Sequence, residues 1–407
     1  MKLDVFICNL KTGDPINKSF KSLTDALNAI TPVSDKTAPK YVKLCILVKN
    51  PNNYSTIKKV FLNPVEGPNK SVKKTRDMDS RDSNSGTDAN FMKNNEELNK
   101  HVLFLVNPVS GKKKGRKVMD TIVPLLKLLQ INHTIVLTRN QNHVKELNFK
   151  LYSKVILISG DGLIFDYIQT AVKNSLLNIP IAVIKAGTGN ALATSIDVLD
   201  PDIALLSALY GVPKPMDLTK YNFKGYDFYS FLGFFWGLIA DIDLGSEKFR
   251  CLGRLRTEIA AVYYLLKSNK YKGILTYKND NNKMIEQEID LTCFLAMSLP
   301  FLDEEHFGCP DARLSDGKIH IVYDKLNKSA GLNLLINGKN PQKFRQMKWK
   351  YIQTNEFTLT PLTDKTLMDL DGEYMTHCKL TATVYNSQVK VMTPEWLDED
   401  SMTGSDK

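Results

Sequence analysis

The 407-residue chain lacks a long hydrophobic run. Its longest uncharged apolar stretch lies between Phe228 and Ala240 and ends against Asp241 and Asp243. A membrane-crossing helix takes about 20 apolar residues, so this stretch is too short to span. A charged-then-apolar opening is missing too: Met1-Lys2-Leu3-Asp4 puts an acid where the core of an export signal begins, and the expected compartment is cytoplasmic. Cysteine is scarce. Cys8, Cys45, Cys251, Cys293, Cys309 and Cys378 are scattered with no C-x-x-C pair, which argues against a zinc or disulfide framework and for reduced, buried thiols. No zinc-finger, RRM or helix-turn-helix pattern accompanies the formal charge of +10, so nucleic acid is not an expected partner. A solvated lysine-rich surface accounts for most of that charge, which also admits an anionic membrane surface or a phosphorylated small molecule as partner. No internal repeat is present, and the sequence does not set an oligomeric state.

What is present changes character along the chain. Residues 1–65 hold short β-like runs (Leu3–Cys8, Tyr41–Val48, Thr56–Leu62) and read as an accessory segment with a small sheet. Residues 66–100 are mostly Lys, Asp, Ser, Asn and Gly, a composition that buries too little apolar area to order itself, and read as a linker. From His101 strand, loop and helix alternate. Strands are expected at Val102–Val106, Thr134–Leu137, Val155–Ile158 and Ile181–Ile184. Helices are expected from the Val118, Ile122, Leu125, Leu126, Leu129 stripe, at Val144–Leu151, at Leu163–Val172 and at Asn190–Ile196. This predicts an α/β fold: a parallel-sheet nucleotide domain over 101–218, with ligands at the strand C-termini. Residues 219–395 read as a β-rich, sandwich-like domain. Its strands are Glu288–Met297, Lys318–Tyr323 and Glu356–Leu362, with a hairpin turning at Asn386-Ser387. Helices are expected near Leu255–Lys267 and Ser329–Ile336. Residues 396–407 read as a flexible tail.

Three consecutive strand-to-helix loops are built of small, phosphate-compatible residues. The first, Asn107-Pro108-Val109-Ser110-Gly111-Lys112, is not a P-loop: no Gly stands four residues before Gly111-Lys112, and Lys113 follows where Ser or Thr is required. The second is Ser159-Gly160-Asp161-Gly162. The third, Ala186-Gly187-Thr188-Gly189-Asn190, lacks the last glycine of a dinucleotide fingerprint, since position 192 is Leu. Each alone is also what a tight turn looks like. Together, at successive strand ends, they bring backbone N–H groups and helix N-termini to one rim. The run Lys112-Lys113-Lys114-Gly115-Arg116-Lys117 adds positive potential there. Asp161 stands out, because a carboxylate beside a polyphosphate is repelled unless it holds Mg²⁺ or takes a proton. Phosphoryl transfer tolerates a weak base, so Asp161 either orients and deprotonates an acceptor hydroxyl or caps the following helix.

Ser159-Gly160-Asp161-Gly162-Leu163 is followed by Ile179-Pro180-Ile181-Ala182-Val183-Ile184-Lys185-Ala186-Gly187-Thr188-Gly189-Asn190-Ala191-Leu192-Ala193. This order resembles the catalytic domain of the diacylglycerol and sphingosine kinase superfamily. Trp236-Gly237-Leu238-Ile239-Ala240-Asp241-Ile242-Asp243, Ser246-Glu247-Lys248-Phe249-Arg250, Leu252-Gly253 and Asp371-Gly372-Glu373 are similar to its sphingosine kinase branch, and the resemblance covers about 101–395. NAD kinases and phosphofructokinases share a G-D-G loop, but the Trp236–Arg250 stretch argues against them.

The resemblance implies a lipid kinase using ATP and Mg²⁺ to phosphorylate the primary hydroxyl of a sphingoid base. A kinase of diacylglycerol, ceramide or a related lipid, and a catalytically impaired nucleotide-binding homologue, are its alternatives. It implies nucleotide contacts at Asn107, Pro108 and Val109, at Thr138, Arg139, Asn140, Gln141 and Asn142, and at Gly187, Thr188 and Gly189. Arg250 and Arg256 match arginines that reach the ATP phosphates, and Asp371, Gly372 and Glu373 match the acidic stretch near nucleotide and Mg²⁺. One such ion held mostly by phosphates and water needs only one or two carboxylates, so no dedicated protein metal cage is expected. Ser159, Gly160, Asp161 and Gly162 face the acceptor, and Asp243 matches the residue holding its polar head; a carboxylate suits an ammonium. Part of the apolar run before Asp241 is a candidate lining for the lipid tail. Val109-Ser110-Gly111 departs from the family's double glycine, Asp166 stands where Glu is usual, and Thr188 replaces a commoner Ser. The lipid substrate implies peripheral membrane contact through basic and apolar residues that the sequence does not locate.

Overall fold

The computed structural model describes residues 101–128, 131–187, 189–246, 256–267, 269–325, 337–347, 349–395, 397 and 399, together with the backbone of 2–9, 15–20, 42–50 and 53–62. The linker expected at 66–100, the helix at Ser329–Ile336, Thr188 and Arg250 lie outside the described residues, as do the side chains of Lys112, Lys113 and Arg256. Contacts divide the chain into two units, residues 1–101 with 120–133 and residues 102–119 with 134–407.

The first unit contains an antiparallel sheet of β1 (Lys2–Asn9), β2 (Pro15–Phe20), β3 (Val42–Asn50) and β4 (Asn53–Leu62), ordered β2-β1-β3-β4. The three short runs read from the sequence fall on β1, β3 and β4.

The second unit begins with β5 (Val102–Val106), whose five side chains are all buried. Helix α1 (Ser110–Leu128) follows, its residues from Asp120 onward counted with the first unit, and carries the buried stripe Met119, Ile122, Leu125 and Leu126. Then come β6 (His133–Leu137), α2 (Gln141–Glu146), β7 (Lys154–Ser159), α3 (Asp161–Lys173), β8 (Ile181–Lys185), α4 (Ala191–Ser195) and α5 (Pro201–Tyr210). Where one helix was expected over Val144–Leu151, α2 ends at Glu146 and a 3₁₀ turn, Phe149–Leu151, follows. Asn140 and Asn148 cap the two pieces, accepting from His143 N and Lys150 N. The strand order is β6-β5-β7-β8, with β5, β7 and β8 paired in parallel, and these three are the near-continuous apolar runs that a doubly covered parallel strand requires.

The sheet continues beyond β8. The elements β9 (Val212–Phe223), β10 (Tyr226–Ser230), β11 (Gly233–Gly237), α6 (Leu238–Ser246), α7 (Arg256–Lys267), β12 (Tyr271–Lys278), β13 (Met284–Leu291), β14 (Cys293–Met297), β15 (Ile319–Asp324), α8 (Pro341–Arg345), β16 (Lys350–Thr354), β17 (Glu356–Pro361), β18 (Met368–Leu370), β19 (Glu373–Met375) and β20 (Leu380–Thr393) follow among the described residues. Strand β20 pairs parallel with β8 at Val391–Ile181 and antiparallel with β9 and β17. The parallel and antiparallel parts are therefore one ten-stranded sheet, and the boundary read at 218/219 falls inside β9. A second, antiparallel sheet, β16-β15-β14-β11-β18-β19, packs on it. Rings from the two sheets meet between them: Tyr221 with Phe234 at 5.8 Å, Phe294 with Phe357 at 6.1 Å, Trp236 with Tyr271 at 5.6 Å. Each such ring withdrawn from water contributes roughly 1.5–3 kcal/mol.

Three sequence expectations are corrected here. The hairpin at Asn386-Ser387 does not form: β20 runs through it as a bulge, and both halves pair with the long partner β9. Ser387 takes φ +51° and donates its N–H to the buried Asp217 carboxylate, which also accepts from Gly317 N and Ser315 Oγ. The single strand expected over Glu288–Met297 breaks at Thr292, where the chain passes from the edge of one sheet, with every other residue exposed, into the fully buried β14. The apolar run before Asp241 is core, not lining: Phe231, Phe234, Trp236 and Leu238 are buried, and Trp236 donates its indole N–H to Thr366 Oγ1 at 2.9 Å.

Gly115 lies inside α1 where a Cβ would come within 2.0 Å of the Asn107 carbonyl oxygen. Alanine at an ordinary helix position gains about 1 kcal/mol over glycine. Here Gly115→Ala is expected to lose roughly 1–3 kcal/mol instead, because the first loop must shift; urea unfolding measures it.

Candidate active site

The three glycine-bearing loops touch backbone to backbone. Gly111, with φ +52°, sits where a Cβ would meet the Ala186 carbonyl at 2.3 Å, and a Cβ on Gly187 would meet the Gly160 Cα at 2.7 Å. Any side chain at these points would push the loops apart. Strands β5, β7 and β8 deliver the loops side by side. Asn190, whose carboxamide Oδ1 caps α4 through Ala193 N, ties the third loop to the second by donating to the Ser159 carbonyl at 3.3 Å.

Asp161 opens α3, and its Oδ1 accepts the Ala191 N–H at 3.0 Å. Gly160 holds the cap position and supplies no side chain, so Asp161 bonds across to the third loop instead of capping its own helix. Burial pushes its carboxyl up to about 7. The Ala191 N–H opposes this, and the nearby acids Asp371, Asp243 and Asp303 add to it. A carboxyl with that pKa is a competent proton acceptor near neutrality.

The first and second nucleotide stretches expected from the sequence meet at one rim. Asn107 Oδ1 accepts from Val109 N, and Thr138 bonds the Val106 carbonyl through its N–H at 2.8 Å and its hydroxyl at 3.3 Å, so the ends of β5 and β6 stay together. Arg139, Asn140, Gln141 and Asn142 are exposed along that rim. Asn142 is engaged, accepting from Lys145 Nζ.

The acidic stretch divides by role. Asp371 and Gly372 have φ +54° and +87° and form the two-residue turn between β18 and β19, a conformation in which Asp-Gly is favoured. The Asp371 carboxylate is buried and accepts from Ser230 Oγ at 2.6 Å and from the N–H groups of Phe231, Leu232 and Gly233 at 3.0, 3.1 and 2.8 Å. Burial lifts it to about 6 against those four donors. With its oxygens so engaged, Asp371 holds the 230–233 loop in place and has little to offer a cation. Glu373 and Asp166 are the available pair: both are partly exposed, and a Cβ on Gly162 would lie 3.6 Å from Glu373 Oε1. Burial and the Glu373 charge raise Asp166 to about 6, with Lys145 opposing; burial and Asp243 raise Glu373. Two carboxylates that disfavour each other's charge suit a divalent cation, and two suffice for phosphate-bound Mg²⁺. Among the described residues no group of three or more such ligands occurs.

Asp243 lies exposed on α6, not on a strand edge, with its Oδ2 3.7 Å from where a Gly372 Cβ would stand. Its neighbour Asp241 points inward and accepts from Tyr271 Oη and Asn269 Nδ2, so the two acids of Asp241-Ile242-Asp243 separate into a structural and a surface role. Arg256 stands at the start of α7.

Sequence reading missed Ser230, Asp303 and Asp369. Asp303 lies beside Gly189; burial works to raise it, but His306 and the N–H groups of Glu305 and His306 hold it below the ordinary carboxylate range. Only the Asp303-x-x-His306 spacing, an Asx-type turn, hinted at it.

Residues 101–221 match the family model described as diacylglycerol kinase catalytic domain. That match, with the relatives that follow, supports a lipid kinase. It is similar to sphingosine kinase 1 of Homo sapiens, 28% identical over 335 residues, covering 67% of this chain and 86% of that protein. Sphingosine kinase 1 of Arabidopsis thaliana is 25% identical over 334 residues, covering 68% of each. Sphingoid long chain base kinase 4 of Schizosaccharomyces pombe is 26% identical, with 67% and 70% covered. A crystal structure of a diacylglycerol kinase from Bacillus anthracis superposes with a TM-score of 0.55 at 17% identity, covering 73% of this chain and 98% of that one, which bears on the fold.

Because the Asp161 pKa in the fold lies above its unfolded value of about 3.9, its share of stability is fully present below pH 4 and is lost as pH rises through about 7. Asp161→Asn is therefore expected to be more stable than the parent at pH 8, by roughly 1–3 kcal/mol, with the difference vanishing near pH 4. Urea melts at the two pH values test this.

Proposed function

We propose that this lipid kinase transfers the γ-phosphoryl group of ATP to the primary hydroxyl of a sphingoid long-chain base, giving ADP and the 1-phosphate. The observation that carries the reading is the placement of Asp243. It is an exposed carboxylate on α6 whose charge reaches the Asp161 carboxyl. Such an anion pairs with the ammonium of a sphingoid base; diacylglycerol offers it no cation. The names of the curated relatives agree.

In this reading Asp161 aims the acceptor hydroxyl and takes its proton. Asn107–Val109, Thr138–Asn142 and Gly187–Gly189 seat the nucleotide, and Arg250 and Arg256 meet its phosphates. Asp166 and Glu373 would hold Mg²⁺, which when bound supplies neutralisation of phosphate charge. Asp371 acts by fixing the loop and turn between these groups.

The membrane face of the reading is α7. Ile259, Val262, Tyr263 and Leu266 are exposed at helical spacing, Leu266 at 62%, while Ala260, Ala261, Tyr264 and Leu265 on the other side are buried. The buried side packs on α6: a Cβ on Gly245 would collide with the Tyr264 ring. Lys267, Lys270 and Lys272 follow, so apolar contact and positive charge sit together beside the helix that carries Asp243. No helix among the described residues is long and apolar enough to cross a membrane.

Purified protein with Mg-ATP should phosphorylate sphingosine or phytosphingosine in mixed micelles and leave diacylglycerol and ceramide largely unused; the reverse preference overturns the assignment. Asp161→Asn should lower kcat at least 100-fold with the fold intact, and the parent's kcat/KM should climb as pH rises through about 7. Asp243→Asn should raise KM for lipid more than KM for ATP. Val262→Glu with Leu266→Glu should cut co-sedimentation with phosphatidylserine vesicles, while turnover of a short-chain, water-soluble acceptor stays unchanged.

A further inference from the structure

Across the third loop from Asp161 stands an acid that the transfer chemistry above does not use. A Cβ on Gly189 would lie 3.8 Å from Asp161 Oδ2 and 4.0 Å from Asp303 Cβ, and among the described residues no other atom comes within 4 Å of that point. A methyl group there would touch both acidic side chains at once. A hydroxyl that reaches Asp161 Oδ2 over Gly189 therefore arrives beside Asp303.

Asp303 belongs to a loop that is closed on itself and fastened to the sheet. Phe301 and Phe307 pair across its neck with ring centroids 4.3 Å apart. Leu302 N donates to the His306 carbonyl at 2.8 Å, and Gly308 N to the Pro300 carbonyl at 2.9 Å. Glu304 forms an ion pair with Lys185, the last residue of β8. Since β8 leads into the third loop, that pair holds Asp303 against the same loop that Asp161 grips through Ala191 N.

The Asp303 carboxylate is oriented in turn. Its Oδ1 accepts the N–H groups of Glu305 and His306, each at 2.8 Å, and its Oδ2 accepts from His306 Nδ1 at 2.9 Å. Burial favours the neutral acid, and these donors overcome it and keep the group ionised. One ring N–H leaves Oδ2 with capacity for a further donor, and the side chain is 45% exposed, open to a ligand.

We infer that Asp303 is a specificity residue for the acceptor: while Asp161 takes the reacting hydroxyl, Asp303 accepts a hydrogen bond from a second hydroxyl within two carbons of it. In a sphingoid base that group is the C3 hydroxyl, with the ammonium left to Asp243. Diacylglycerol has only an ester oxygen next to the reacting carbon and donates nothing. An acceptor lacking the second hydroxyl leaves a fixed carboxylate unpaired, which is how a polar site rejects an analogue that merely lacks a donor. The inference rests on the sphingoid-base reading of this cleft and adds a second point of recognition to it.

The experiment compares sphinganine with 3-deoxysphinganine, at saturating Mg-ATP, in the parent and in Asp303→Asn. Asparagine keeps an oxygen for the two backbone N–H groups, so the loop stays closed, and replaces the accepting Oδ2 with a donor. Asp303→Asn should raise KM for sphinganine about tenfold, the loss expected for a hydrogen bond to a charged group. KM for 3-deoxysphinganine should stay within about twofold and KM for ATP unchanged. Equal losses on the two acceptors, as a merely structural role gives, overturn the inference, and so does a change that falls on the Mg²⁺ requirement instead. If the parent phosphorylates no sphingoid base, the substrate reading fails by itself. The comparison then runs on 1-monoacylglycerol, whose neighbouring hydroxyl is free, and diacylglycerol. A loss confined to the monoacylglycerol sustains the role of Asp303, and equal effects overturn it.

Discussion

Everything at this site depends on backbone approaching backbone. Gly111 against Ala186 and Gly160 against Gly187 bring three loops closer than any side chain permits, and only then does the Ala191 N–H reach Asp161. The carboxylate, at the start of α3, is thus half-buried where the loops meet. Enclosure raises its pKa toward neutrality, which turns a weak base into a useful one.

The second sheet sets the other wall with a different device. Asp371 gathers one hydroxyl and three N–H groups from the 230–233 loop, binding the β18–β19 turn to the start of β11. Because β11 leads directly into α6, the same anchor fixes where Asp243 stands. Asp371 serves as a keystone, while Glu373, one residue past the turn, is left with its charge unspent beside Asp166. Acids in this part of the molecule repel one another, and that stored repulsion is what cationic partners relieve.

Much of this was legible before the fold was known. The apolar runs of β5, β7 and β8 and the amphipathic stripe of α1 announce a parallel sheet with covering helices, since both patterns come from short-range geometry. The glycine loops were legible as a set, although each one alone fits a turn. The failures share a cause. Asn386-Ser387 looks like a hairpin turn until β9 offers a continuous partner across it, and Glu288–Met297 looks like one strand until Thr292 carries it between sheets. Pairing partners far apart in sequence decided both.

The sequence by itself determined the element order in the parallel half and the three glycine-bearing loops at its strand ends, because local periodicity and motif spacing survive without the fold. Tertiary structure alone decided which acid does what. Asp241 and Asp243 lie two residues apart, yet one bonds Tyr271 in the interior and the other faces solvent. Asp369 in β18 and Asp371 in the turn that follows lie two residues apart, yet one is left without a donor at Oδ2 while the other accepts four hydrogen bonds. A carboxylate's role follows from its hydration and its donors, and both are supplied by segments that only folding brings within reach.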